Sequence, residues 1–132
     1  MTHSEIAALK HDIFSSLHCA LPGIVVAFDP QARTADILPA VKQRPSAPIS
    51  GLPAPDAEPL SLPLLRDVPV FMPVPFEITP GDACLVIFAD CDIDAWLDSG
   101  QPAVPPSGRM HSLSDGFAFV GFRTRNNQGA PA

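Results

Sequence analysis

Pro80-Gly81-Asp82-Ala83-Cys84-Leu85-Val86-Ile87-Phe88-Ala89-Asp90-Cys91-Asp92-Ile93-Asp94-Ala95-Trp96-Leu97-Asp98-Ser99-Gly100 is the stretch on which the fold turns. A turn at Pro80-Gly81 launches an apolar run from Asp82 to Ala89, and the run stops in a carboxylate-rich turn that carries the only tryptophan. Ala83, Leu85 and Ile87 lie on one face of that strand and Cys84, Val86 and Phe88 on the other. A strand apolar on both faces is covered on both. A small barrel covers one face with its own core, so the second needs a helix, a loop or another chain. Asp92 to Asp98 has room for one helical turn around Trp96.

Working outward, Gly116 to Phe122 is a last strand with the same double apolar character. Upstream, Gly23 to Phe28 is a β-branched run ending in the turn signal Asp29-Pro30, and Thr34 to Val41 alternates after it. Leu64 to Phe71 makes a third strand. Pro39 and Pro69 have no hydrogen to give a ladder, so each must sit at an edge or an irregularity. Five strands without long helices between them predict a mainly β fold, a small five-stranded OB-fold-like barrel.

Before the barrel, Ile6, Leu9, Ile13, Phe14 and Leu17 recur at three- and four-residue steps after Ser4, a candidate N-cap. They predict one short amphipathic helix from Ser4 to Leu17. A helix of that length is marginal alone in water, so its stripe must dock on the domain, a sister subunit or another protein. Pro45 to Pro63 holds six prolines and almost no periodicity, which marks a long loop inside one domain. The predicted organisation is an N-terminal helix over 1–18, a barrel over 19–125 interrupted by the 45–63 loop, and a flexible tail over 126–132.

Composition narrows the functional classes. The 132 residues include 17 prolines, too many for a helical body. A net charge of −6 with eight basic residues argues against nucleic acid, whose binding draws on clustered Lys and Arg. The phenylalanines sit in apolar strands near acids, as core or interface groups instead of a stacking platform in a basic groove. Cys19, Cys84 and Cys91 form no CxxC pair and read as reduced structural thiols. The N-terminus lacks a signal-peptide pattern, and no run of about 18 apolar residues spans a bilayer. A soluble chain made in the cytoplasm is expected.

Catalytic chemistry finds little support. Asp90, Asp92 and Asp94 open like the calcium loop D-x-D-x-D-G, but its glycine position is Ala95 and its twelfth is Gln101. A solvated acidic turn is the expected reading. His3, His11, His18 and His111 lack the spacing of a helical zinc site. Ser114-Asp115 after His111 is read as a polar turn, and no G-x-S-x-G pentapeptide occurs. The expectation is no enzyme, no catalytic or metal-binding residue and no cofactor.

Leu21-Pro22-Gly23-Ile24-Val25-Val26-Ala27-Phe28-Asp29, Thr34-Ala35-Asp36-Ile37-Leu38-Pro39 and Leu65-Arg66-Asp67-Val68-Pro69-Val70 follow in an order that resembles the N-terminal OB-fold domain of central spike proteins in contractile phage tails, the phage Mu-type spike among them. Gly81-Asp82, Asp94-Ala95-Trp96-Leu97 and the closing Arg109-Met110-His111-Ser112-Leu113-Ser114-Asp115-Gly116-Phe117-Ala118-Phe119-Val120-Gly121-Phe122 continue the likeness, which covers Cys19 to Arg125. The resemblance implies a homotrimer in the virion's tail baseplate, bound to a hub protein and meeting the host outer membrane during contraction. Spike relatives continue into a β-helix whose apex can carry iron on His-x-His; this sequence has no such motif, so iron is not carried over, and a separate spike-tip protein is expected to complete the assembly or the chain to act as an adaptor. The candidate interface residues are Ile6, Leu9, Ile13, Leu17, Val86, Phe88, Trp96, Phe119 and Phe122. The alternative is a monomeric OB-fold module binding a glycan or peptide through its loops.

Overall fold

The computed structural model describes residues 2–43 and 59–127. Along the chain come helix α1 (His3–Ser16), strands β1 (Ala20–Asp29), β2 (Thr34–Pro39), β3 (Lys42–Gln43), β4 (Leu60–Ser61), β5 (Leu65–Pro69) and β6 (Ala83–Phe88), helix α2 (Asp94–Ser99), strand β7 (Gly116–Phe122) and a 3-10 turn (Arg125–Asn127). The mainly β reading holds, with one N-terminal helix and five principal strands. Most of the predicted Pro45–Pro63 loop lies outside the described residues, as does the tail from 128 onward. Within that predicted loop, Leu60–Ser61 instead pairs with Lys42–Gln43 as a short ladder.

The principal strands make one antiparallel sheet in the order β5-β2-β1-β6-β7. Its first four members stand in the 4-1-2-3 order of a Greek key. The sheet curls so strongly that its two edges meet: Val70, just past β5, bridges in parallel to Ala118 of β7, and the Phe71 N–H donates to the Ala118 carbonyl at 2.9 Å. The result is a half-barrel of the partly open kind that OB-type folds use.

Local chemistry sets the turns. Asp29 Oδ1 accepts from the Gln31 and Ala32 N–H groups, and the Arg33 N–H closes on the Asp29 carbonyl at 2.8 Å. At Thr79-Pro80-Gly81-Asp82 the Asp82 N–H donates to the Thr79 carbonyl, and Gly81 has φ of 97°. Proline second and a left-handed glycine third is the type II arrangement. The Asp82 carboxylate also accepts from the Thr79 N–H and hydroxyl, at 2.9 and 3.1 Å.

Two proline expectations resolve in the register. Pro39 ends β2, beyond the last β5 partner, Leu65 opposite Ile37. Pro69 ends β5. The predicted start of β1 at Gly23 is three residues late, because Pro22 is tolerated inside the strand. Its carbonyl accepts from Ala40, so its missing N–H faces the end of β2, where no ladder bond is lost.

The core lies inside the curl: Leu21 and Val25 from β1, Ala35 and Ile37 from β2, Leu65 and Val68 from β5, Cys84, Val86 and Phe88 from β6, and Ala118 from β7, with Val70 and Ile78. Gly23 and Gly116 share that inward face because the curl brings strands close there. A Cβ on Gly23 would overlap Ile37 Cγ2, and one on Gly116 would stand 2.7 Å from Val86 Cγ1. α1 is capped by Thr2 and not by the expected Ser4: Thr2 Oγ1 accepts from the Glu5 N–H at 3.2 Å, and the Glu5 carboxylate accepts from the Thr2 N–H at 2.7 Å. This reciprocal pair is a capping box. Among the described residues no helix is long and apolar enough to cross a membrane.

Candidate functional site

Since successive side chains alternate across a strand, the register that buries Leu21, Val25, Cys84 and Val86 turns their neighbours outward, and those neighbours are apolar. Leu38, Ile24, Ala83 and Phe122 stand opposite one another across β2, β1, β6 and β7. Pro22, Leu85 and Phe119 form the next row, and Ala20, Ile87 and Phe117 the third. The convex face of the sheet is therefore apolar over three consecutive rows. The core does not account for it.

Backbone irregularities shape this face. β1 carries an extra residue between Val25 and Ala27, which leaves both Val26 and Ala27 exposed and returns Phe28 toward the core. β7 carries another: Cys84 pairs with Val120 but Ala83 with Phe122, so Gly121 is the bulged residue, at φ 117°. Without it Phe122 would share the inward parity of Ala118 and Val120. The bulge turns Phe122 out, leaving it 55 % exposed.

Aromatic rings border the face. Trp96 of α2 stands edge-on to Phe117 with centroids 6.2 Å apart, and Phe71 lies against Phe119 at 5.3 Å. Beyond Phe71 the chain walls a groove of about 440 Å³, lined by Phe71, Val74, Phe76, Phe119 and Phe122 among others. Phe71 is 58 % exposed and Val74 65 %. The rows and the groove are continuous through Phe119 and Phe122.

The sequence-predicted interface residues divide three ways. Ile6, Leu9 and Ile13 are exposed on α1, with Leu17 half-buried at its C-cap. Their stripe does not dock on the chain's own sheet; Ala7, Ala8 and His11 are the more buried residues of the helix, and Phe14 is 72 % exposed. Trp96, Phe119 and Phe122 lie on or beside the outer face. Val86 and Phe88 are corrections: both point into the core, at 0 % and 6 % exposure. β6 is apolar on both faces, and Leu85 and Ile87 are the residues that look outward. Phe71, expected as a core or interface ring at the end of the third strand, lies on this surface, whereas Val74 and Phe76 carry no sequence signal for it, since Met72-Pro73-Val74-Pro75 reads as a spacer between segments.

The acidic turn is also a correction, since it is not a solvated one. Asp90 is exposed, but Asp92 and Asp115 are buried, and the Arg109 guanidinium sits between them. Its Nη2 is 2.8 Å from Asp92 Oδ1, 2.8 Å from Asp115 Oδ1 and 3.1 Å from Asp94 Oδ2, while Nε donates to Asp115 Oδ2 at 3.1 Å. The second Asp92 oxygen accepts from the Ser107 hydroxyl, and its first also accepts from the Asp94 N–H. These bonds, the Ser107 one foremost, hold the Asp92 carboxyl below the usual carboxylate range. The carboxylates of Asp92, Asp94 and Asp115 converge closely enough to suit a cation, and the cation in their midst is Arg109. The cluster ties the start of α2 to the loop that leads into β7.

His111 has φ of 46°, and its Nδ1 is buried without a hydrogen-bond partner. Its carbonyl accepts from the His18 N–H at 3.1 Å. All three cysteines are free; Cys84 is buried, with its thiol pushed up to about 11 by burial, whereas Cys19 is exposed and Cys91 half-buried. Only Cys84 fits the expected buried structural thiol.

With this geometry in place, residues 21–121 match the family described as phage protein Gp138 N-terminal domain. The match runs from Leu21 in β1 to Gly121 in β7, so it coincides with the curled sheet, and α1 precedes it. No curated protein matches the chain.

Proposed function

The chain belongs to the phage protein Gp138 N-terminal domain family, and from that premise we propose that it is a non-enzymatic structural component of a contractile tail baseplate: a central spike or spike adaptor joining the hub to a membrane-facing tip. The observation that carries the reading is the outer face. Three apolar rows on a half-barrel that already has a full core fit a surface made to be covered, since exposed apolar patches of this kind mark interaction sites. A homotrimer covers them without any further protein. Around a threefold axis each subunit offers two different patches, and the rows and the adjoining aromatic groove supply two. α1 then remains free to engage the hub, its stripe of Ile6, Leu9, Ile13 and Phe14 facing away from the sheet.

Light scattering across a dilution series tests the assembly. A stable particle of about 42 kDa, three times the 14.0 kDa chain, is the expected result. A particle that stays monomeric at every concentration and in the presence of hub protein moves the reading to a monomeric module for a glycan or peptide, with the Phe71–Phe76 groove as its ligand surface.

A further inference from the structure

A helix of six residues does not hold its own shape in water, and α2 is fixed by its neighbours. Arg109 grips Asp94 in its first turn at 3.1 Å, and at its far end the N–H of Gly100, a residue at φ 70°, donates to the Trp96 carbonyl at 2.7 Å. What α2 displays from this anchored position is apolar: Trp96, 46 % exposed, and the exposed Leu97 beside it. A tryptophan held in place yet left half in water is a ready anchor for an interface, because such side chains dominate binding when they enter a pocket and little freedom is lost on binding.

The groove walled by Phe71, Val74, Phe76 and Phe122 lies toward the other end of β7. Phe117, against which Trp96 stands, and Phe122 are five residues apart on that strand, about 16 Å along it, and the indole stands outside the groove. Charge divides in the same way. From Asp90 to Asp115 the chain carries five aspartates and one arginine, and Asp90 and Asp98 are exposed. Beside the groove, Arg123 and Arg125 follow Phe122, and Arg33 Nη1 donates to the Met72 carbonyl at 3.3 Å. The acids there are Glu77 and Asp82, and the Asp82 carboxylate is engaged with Thr79. The anchor is apolar in an acidic frame, and the groove is apolar in a basic one.

We propose that Trp96 of one copy enters the Phe71–Phe76 groove of the next, with Leu97 beside it and the aspartates around α2 set against the arginines that follow Phe122. The contact rests on the self-assembly proposed above. A second copy is the occupant because the two surfaces match in apolar character, oppose each other in charge and occur once each in every chain; complementary potentials of this kind select a partner. A contact between two different patches runs head to tail, and a closed ring leaves no anchor and no groove unfilled. At about 440 Å³ the groove has room for an indole. Trp96 borders the third apolar row, so its insertion brings that row against the same neighbour. The Arg109 cluster then acts through α2, as the device that positions the anchor.

Trp96 is the only tryptophan, so fluorescence of the full chain reads the contact without a label. In the assembled wild type, acrylamide should quench it several-fold less than in Phe122→Glu, a variant altered in the groove and not at the indole, which should run at the mass of one chain with the wild-type sheet spectrum. Val74→Glu, at another exposed groove position, serves the same purpose if the Phe122 variant does not fold. Asp98→Lys and Arg125→Glu should each raise the concentration of half-assembly roughly tenfold, and the two together should return it to near the wild-type value. Assembled wild type whose Trp96 is as open to acrylamide as in the groove variant, a groove variant that still assembles with Trp96 shielded, or a combined charge variant weaker than either single one overturns this contact and leaves the assembly standing. A wild type that keeps the mass of one chain at every concentration, with hub protein present, overturns both.

Discussion

At the scale of single residues, Arg109 has the most consequential contacts. One guanidinium faces three carboxylates, two of them buried, and removing it leaves charges that cannot be resolvated without opening the loop. Because the native Asp92 pKa is lowered, its contribution to stability is complete above the unfolded value of about 3.9 and is lost as pH falls below it. Asp92→Asn should be less stable at neutral pH and should lose less on acidification, so the two urea midpoints converge below pH 4; parallel curves would remove Asp92 from the acid response. The sequence displayed half of this cluster. Asp90, Asp92 and Asp94 were visible as a row, but Arg109 and Asp115 reach them from later in the chain, and no local pattern announces an ion pair closed by folding. Asp90 and Asp92 share the same parity, and what separates them is the Arg109 guanidinium and the Ser107 hydroxyl on Asp92, both from a loop the sequence leaves unspecified.

At the scale of elements, legibility followed the strength of the local signal. Pro80-Gly81 fixed a turn whose conformation demands those two residues, and β6 and β7 were plain from their apolar runs. Which of their two faces points inward was not legible, since both are apolar and the parity depends on pairing. The bulge at Gly121 had one cue, a glycine inside a strand; the extra residue at Val26 had none, because valine fits an extended strand equally well. For α1 the motif Thr2-His3-Ser4-Glu5 contained the cap, and Glu5 three residues after Thr2 is what selects Thr2 over Ser4. Thr2→Ala should cost the helix about 0.5–2 kcal/mol. Since the stripe of α1 lies off the sheet, that loss should appear as reduced helicity by circular dichroism while the cooperative melt of the half-barrel keeps its midpoint. A matching fall in the midpoint would mean that α1 and the sheet form one folding unit.

At the scale of the whole molecule, the core and the outer face make opposite demands on the same strands. The inward rows stabilise a half-barrel by themselves: Ile37, Val25 and Val86 are shielded inside the chain, and none depends on a neighbour for cover. The outward rows add nothing to that core, and in water they are a cost to solubility that the proposed trimer would remove. Charging them should therefore separate assembly from folding. Ile24 and Ile87 are suited to the test, being exposed, central to their rows and on adjacent strands. The double variant Ile24→Lys, Ile87→Lys should run near the 14.0 kDa of one chain, with the wild-type β-sheet spectrum and a melting midpoint no longer dependent on concentration, as expected once association is uncoupled from folding. The same charges at Val86 should unfold the chain, because burying an unpaired ammonium in that core costs several kcal/mol. If instead wild type and double variant share the mass of a trimer, the apolar rows are not the subunit contact of the proposed assembly, and that contact must be sought at the Phe71–Phe76 groove alone.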